Sequence, residues 1–228
     1  MMKTNTGLVE YAKSQLGNPY WYGTYGQTAS SSLYSAKKKQ YPKYYTATDF
    51  DTQYGKRVHD CVGLIKGYLW SESPTNKPTY TYAQDVSANG MRKRCTESGK
   101  IASMPETVGL LVFFDGHVGV YIGNGEVIEA RGHAYGVVKT KLKDRPWIWW
   151  GKCPFVTYEE VETKETNKVL EWQKAAIADG FEFPKYGADG IWGEECEAVA
   201  KKAVCKKLTI GYKNKNLTKN IIHKMCRK

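Results

Sequence analysis

The sequence predicts an α+β fold followed by a small all-helical unit. Three observations carry this. Apolar residues recur at helical spacing near the start of the chain and again from Cys61 onward. From Leu110 the pattern changes to short apolar runs separated by Gly and Asn-Gly signals, the mark of an antiparallel meander. After a polar stretch around Glu159–Glu165, helical spacing returns. A helical block followed by a run of strands packs as two layers. The expected organisation is therefore an N-terminal unit over 1–157 (helices packed on an antiparallel sheet), a linker over 158–165, and a helical unit over 166–228.

The elements follow in order. Leu8, Tyr11, Ala12, Gln15 and Leu16 form one helical face over 6–16, and Gly17 can end it. An aromatic loop, Pro19-Tyr20-Trp21-Tyr22-Gly23, comes next. Residues 24–57 are polar, rich in Tyr and without clear apolar periods, which reads as a long surface excursion. From Cys61 the positions 61, 64, 65, 68 and 69 fall on one helical face, so Cys61 stands in the first turn of a mostly buried helix. A short helix within 83–98 exposes Arg92-Lys93-Arg94. Leu110–Phe114, His117–Ile122 and Glu126–Arg131 are strands, and Val137–Thr140 and Trp147–Trp150 are further strand candidates. In the last unit Val169, Trp172, Gln173, Ala176 and Ile177 share one helical face. Cys196, Val199, Ala200 and Ala203 share another.

Bulk properties narrow the function classes. With 228 residues and 41% hydrophobic content the chain can bury a core and is not of disordered composition. A formal net charge of +11 attracts polyanions. No reading-helix or zinc motif points to nucleic acid, and no apolar run approaches the roughly 18–20 residues of a membrane span. None of the six Cys (61, 95, 153, 196, 205, 226) forms a C-x-x-C pair or has His at ligand spacing, so neither a zinc site nor a dense disulfide framework is expected. The first residues, Met1-Met2-Lys3-Thr4-Asn5, lack the apolar core of a secretory leader, so the expectation is synthesis in the cytoplasm.

The chemistry centres on Cys61, His117 and Glu129. A thiol at a helix start faces unpaired N–H groups and the positive end of the helix dipole, which favours the thiolate. His117 opens a strand on the face shared by Gly119 and Tyr121, with Gly119 leaving room beside it. Glu129 is the candidate that orients the imidazole. It reaches the same face if the hairpin pairs residues whose numbers sum to 248, through a three-residue turn with Gly125 at positive φ or through a bulge. A plain two-residue Asn-Gly turn would send it to the other face.

These segments together resemble the NlpC-type cysteine peptidases, a papain-like group that hydrolyses bacterial cell walls. The matching stretches are Leu16-Gly17-Asn18-Pro19-Tyr20-Trp21-Tyr22-Gly23, Asp60-Cys61-Val62-Gly63-Leu64-Ile65, and Gly116–Ala130. The resemblance implies Cys61 as nucleophile, His117 as base and Glu129 as the third, orienting residue. It also implies substrate contacts from Tyr20, Tyr22 and Asp60, with Asp60 recognising an amine. The chain departs from the family where Val62 replaces the usual Ser, and where the stretch from Gly23 to Asp60 is much longer.

The helical unit resembles a three-helix peptidoglycan-binding domain through Lys168-Val169-Leu170-Glu171-Trp172-Gln173 and Asp189-Gly190-Ile191-Trp192-Gly193. That implies wall contacts from Trp172, Asp189, Ile191 and Trp192. The combined layout looks like a phage or prophage endolysin, released by a holin. The expected activity is cleavage of an amide in the peptidoglycan stem, between D-isoglutamate and a diamino acid. Its alternatives are a CHAP-type amidase acting at the muramoyl-L-alanine bond and a non-catalytic wall-binding protein. The expected partners are bacterial peptidoglycan and anionic wall polymers, bound by a monomer that needs no cofactor, binds no metal and does not insert in membranes.

Overall fold

The computed structural model describes residues 2–158, 164–184, 187–188 and 192–205, and the side chains of 164–168 and 203–205 fall outside that description. The chain divides into two compact units, Met1–Glu159 and Glu160–Lys228.

The first unit is α+β, as its patterning predicts. Helix α1 (Asn5–Ser14) is capped by Thr4, whose side chain accepts from the Gly7 amide. Leu8, Tyr11 and Ala12 are buried, whereas Leu16 lies beyond the last turn and is 43% exposed. Strand β1 (Tyr25–Thr28) pairs antiparallel with β2 (Arg57–His59) across the long insertion, which also contains helix α2 (Ser31–Gln40). Helix α3 (Cys61–Trp70) follows β2 directly, and α4 (Ala88–Arg94) lies beyond a turn-rich stretch. Then come β3 (Ser98–Lys100), β4 (Leu111–Phe114), β5 (His117–Gly123), β6 (Glu126–Ala130), β7 (Val137–Lys141) and β8 (Trp149–Gly151). These six strands form one sheet in the order β3-β8-β4-β5-β6-β7, and every pairing in it is antiparallel.

The alternation along β5 assigns the two faces. Val118, Val120, Ile128 and Ala130 turn toward α1 and α3, where Leu8, Ala12, Leu64 and Ile65 complete the main core. Leu64 and Ile65 are fully buried, and truncating either to Ala would cost about 2–5 kcal/mol. Val112, Tyr121 and Val127 turn the other way and pack with Trp147 and Trp150. Helix α3 is buried nearly all round, which fits its scarcity of polar residues.

Two expectations are corrected in this unit, and one strand is added. The insertion is not a bare surface excursion: Trp21, Ala29, Tyr45, Phe50 and Val58 form a core of their own, flanked by Tyr22, Leu33, Tyr34 and Tyr41. Large aromatic rings bury enough area to do this without any periodic pattern. Arg92 is not freely exposed, because its guanidinium lies 4.1 Å from the centre of the Trp149 ring. The sheet also gains β3, a strand too short and polar to be read from its sequence.

In the second unit, α5 (Lys164–Ala178) and α6 (Glu194–Cys205) enclose Trp172, Ala176, Phe181, Phe183, Cys196, Val199 and Ala200. Helix α5 therefore takes over the last two residues expected in the linker, while 159–163 lie outside the described residues. It ends in a Schellman arrangement: Gly180 at φ 85°, with amide bonds Gly180 to Ile177 O and Phe181 to Ala176 O. Ile177, expected on the buried face, is 46% exposed. No described helix is long and apolar enough to cross a membrane.

Candidate active site

The start of α3 is fixed by Asp60. Its Oδ1 accepts from the Gly63 amide at 2.6 Å, an N-cap bond, and its Oδ2 accepts from the Gly23 amide at 2.9 Å. The Asp60 amide in turn donates to Thr24 O. The loop after Tyr22 is thereby stitched to the first turn of the helix. The approach is so close that a Cβ on Gly63 would lie 1.8 Å from Thr24 O, so only glycine fits there.

Cys61 is a free, partly exposed thiol on the wall of a cleft of about 510 Å³. Its Sγ lies 3.9 Å from the Gly116 carbonyl, and the amides of Val62, Val118 and Cys61 itself are within hydrogen-bonding reach of the sulfur. Gly116 and Val118 are the two neighbours of His117, so the sulfur sits against the backbone on both sides of the imidazole-bearing residue. Asn89 of α4 steadies this corner: its Oδ1 accepts from the Gly116 amide, and its Nδ2 donates to Asp115.

The thiolate expected from the helix position is not the resting form. Burial pushes the Cys61 thiol up to about 12, with the neighbouring Asp60 charge adding to the rise, and the three amides only partly offset this. Desolvation outweighs the helix terminus here.

His117 is held by its surroundings on three sides. Its ring stacks with Phe114 at 4.8 Å and with Trp147 at 5.7 Å. Its Nε2 lies 2.7 Å from Glu129 Oε2. The register that brings this about is Val120 opposite Ile128 and Tyr121 opposite Val127, both summing to 248. A two-residue Asn124-Gly125 turn, with φ 54° and 70°, closes the hairpin at Gly123–Glu126, and a bulge at Ile122 moves the register by one. The bulge is thus the route by which Glu129 reaches the imidazole. Glu106 secures the tip by accepting from the Tyr121 hydroxyl and the Asn124 amide.

Glu129 is fully buried, and its carboxylate accepts from several donors. Oε1 accepts from Thr140 Oγ1 at 2.9 Å and Arg145 Nε at 2.8 Å. Oε2 accepts from Arg145 Nη2 at 3.0 Å besides facing His117. Burial works to raise its pKa, but the bonds from His117, Arg145 and Thr140 prevail and hold it at about 2. Glu129 is therefore a permanent anion. The imidazole proton then belongs on Nε2, and Nδ1, which has no hydrogen bond among the described residues, is the basic nitrogen.

Arg145 and Thr140 were not visible in the sequence reading. Arg145 follows a 3-10 turn (Leu142–Asp144) after β7, and only the turn's path brings it back to β6. Arg145 lies between the two strand candidates Val137–Thr140 and Trp147–Trp150, and no local signal marks it.

The remaining predicted residues divide. Tyr22 lines the cleft and stacks face to face on Tyr44 at 3.7 Å. Tyr20 packs against the main core, and burial raises its hydroxyl, with Cys61 and Asp60 nearby adding to the effect. Both Asp60 oxygens are already engaged by backbone amides. Trp172, expected at a wall-binding surface, is 3% exposed and packs in the core of the helical unit, where it meets Trp192 at 5.0 Å and Phe183 at 6.2 Å. Its bulk serves that core. Trp192 is half-buried beside it, and Asp189 and Ile191 lie outside the described residues. Among the described residues no group of His, Cys, Asp and Glu side chains is arranged to hold a metal ion.

Comparison with solved structures finds similar chains. The P60 domain of an antigen from M. avium subspecies paratuberculosis is 18% identical, with 67% of this chain and 98% of that chain covered and a TM-score of 0.40. The peptidoglycan hydrolase RipB from Mycobacterium tuberculosis is 20% identical, with 68% and 67% covered and a TM-score of 0.40. NlpC2 from Trichomonas vaginalis is 15% identical, with 66% and 47% covered and a TM-score of 0.40. Among curated proteins no match was found. The NlpC/P60 family model matches residues 17–150, a span that holds Cys61, His117 and Glu129 and exceeds half of the chain. The chain belongs to the NlpC/P60 family.

Proposed function

We propose that this protein is a peptidoglycan hydrolase that cleaves an amide of the stem peptide, with Cys61 as nucleophile, His117 as general base and Glu129 as the residue that orients the imidazole. One observation carries the reading: a cleft-lining sulfur lies against the backbone flanking an imidazole, and that imidazole is anchored through Nε2 by a buried carboxylate.

The mechanism follows from the protonation states. Cys61 rests as a thiol, so attack on the carbonyl and transfer of the sulfur proton to His117 Nδ1 occur together. The imidazolium that forms is stabilised across Nε2 by the Glu129 anion. The amides of Cys61 and Val62 at the helix start, with the dipole behind them, supply the donors for the oxyanion. Collapse of the tetrahedral intermediate breaks the C–N bond, and His117 returns its proton to the leaving amine. Water then attacks the thioester with His117 again as base.

The bond between D-isoglutamate and a diamino acid is the reading for the scissile amide, and the muramoyl-L-alanine amide is the alternative. Dependence on a free substrate amine, by contrast, finds little support, since Val62 offers no hydroxyl and Asp60 is committed to two backbone amides. The helical unit is proposed to hold the enzyme on the wall, in the manner of an endolysin. The test is clearing of purified cell walls by the full chain and by Cys61→Ala. The variant should lose at least about 10⁴-fold in rate, and mass spectrometry of the fragments would name the bond. Equal clearing by the two proteins defeats the assignment.

A further inference from the structure

We infer that Lys37, on the inserted helix α2, is a specificity-determining residue that receives a carboxylate of the substrate peptide lying beside the scissile amide. This rests on the hydrolase reading and adds a substrate feature to it.

Lys37, Gln40 and Tyr41 from the inserted segment line the cleft together with Asp60, Cys61, Lys66 and Asp85. Lys66 is already paired with Asp85. Asp60 is held by the Gly23 and Gly63 amides. Lys37 differs from both: among the described residues its ammonium pairs with no carboxylate, and its one hydrogen bond, to Gln40 Oε1, is 3.4 Å long. Its Nζ is set 5.6 Å above the Tyr41 ring, which itself packs edge-on against Tyr22 at 5.1 Å. The cation is thus mounted on a rigid aromatic base. Burial lowers its pKa while Asp60 and Asp85 pull the other way, as befits an ammonium that has lost water without gaining an ion-pair partner.

An incoming carboxylate would supply that partner by a charge-assisted hydrogen bond. A carboxamide of the same shape would not, because the charge is gone. The insertion therefore gives this cleft a means of reading whether an acidic group of the stem peptide is free or amidated.

The experiment measures binding to the full-length Cys61→Ala protein by calorimetry. The probes are two synthetic stem peptides that differ only in a free carboxylate or a carboxamide on the residue preceding the scissile amide. The carboxylate peptide should bind roughly tenfold more tightly, the size of one charge-assisted hydrogen bond. Adding Lys37→Met should abolish the difference, and Lys37→Arg should keep most of it. Lys37 is on the surface of its helix, and Met preserves both helix propensity and stem length. The inference is overturned if Lys37→Met still discriminates, if it weakens both peptides equally, or if the Cys61→Ala protein binds neither. Wall clearing by the unmodified chain is read separately. Clearing without discrimination sinks this inference alone, and discrimination without clearing sinks the hydrolase reading alone.

Discussion

Two regions of the first unit, the sheet around Glu129 and the insertion around Trp21, are held by different physics. On the sheet side, Arg145, Thr140 and His117 converge on one buried carboxylate through bonds of 2.7–3.0 Å. On the insertion side, Trp21 stands among Tyr34, Tyr45 and Phe50 with ring centres 5.3–6.1 Å away. The first arrangement is directional and fails if one partner is removed. The second depends on shape and area and can adjust. Proton transfer needs fixed angles, whereas a surface that receives a peptide needs a firm but forgiving form.

Three measurements can break or sharpen this contrast. The largest effect is expected from Glu129→Ala, which leaves the half-buried Arg145 guanidinium without its counter-charge. It should cost about 3–5 kcal/mol in denaturant unfolding and remove wall clearing as well. A loss below about 1 kcal/mol would mean that the network is not what holds this region.

Acidification should separate the two regions next. His59, buried at the base of the insertion, is kept neutral, its pKa lowered to about 3 by burial and by Arg57. A depressed folded pKa means that the unfolded chain takes up the proton first. The stability His59 allows is complete above about 6.5 and declines as pH falls toward 3. Glu129, held at about 2, loses its contribution only between about 4.5 and 2. Hydrogen exchange at pH 5 should therefore show residues 24–59 loosening while β5 and β6 remain protected. Simultaneous loosening would contradict the assignment.

The smallest effect is expected from Trp21→Phe. It removes the indole bond to Gln53 Oε1 at 2.7 Å and part of a ring, for about 1–2 kcal/mol. Substrate KM should rise more than kcat falls. A dominant loss in kcat would show that the insertion acts on the chemical step.

What could be read in advance depended on range. The helix from Cys61 and the hairpin from His117 announce themselves by local spacing, and the face of Glu129 could be framed as a choice between turn geometries. The structure answers with a bulge. Arg145 stayed hidden because it joins Glu129 through the path of a 3-10 turn, which no periodicity encodes. The core under the insertion stayed hidden because Trp21, Tyr45 and Phe50 are far apart in sequence and assemble only in three dimensions. The thiol's state was misjudged because a helix start is legible in sequence, whereas desolvation is a property of everything packed around it.

The bulge at Ile122 decides which face of the sheet position 129 takes. Straightening it with every residue retained would preserve both strands yet slide Glu129 opposite Val120 and aim it away from the imidazole, leaving a folded but silent protein. Deleting Ile122 itself would leave a plain two-residue hairpin with the Val120–Ile128 and Tyr121–Val127 pairs intact, so the tip can be shortened at that point without disarming the chain.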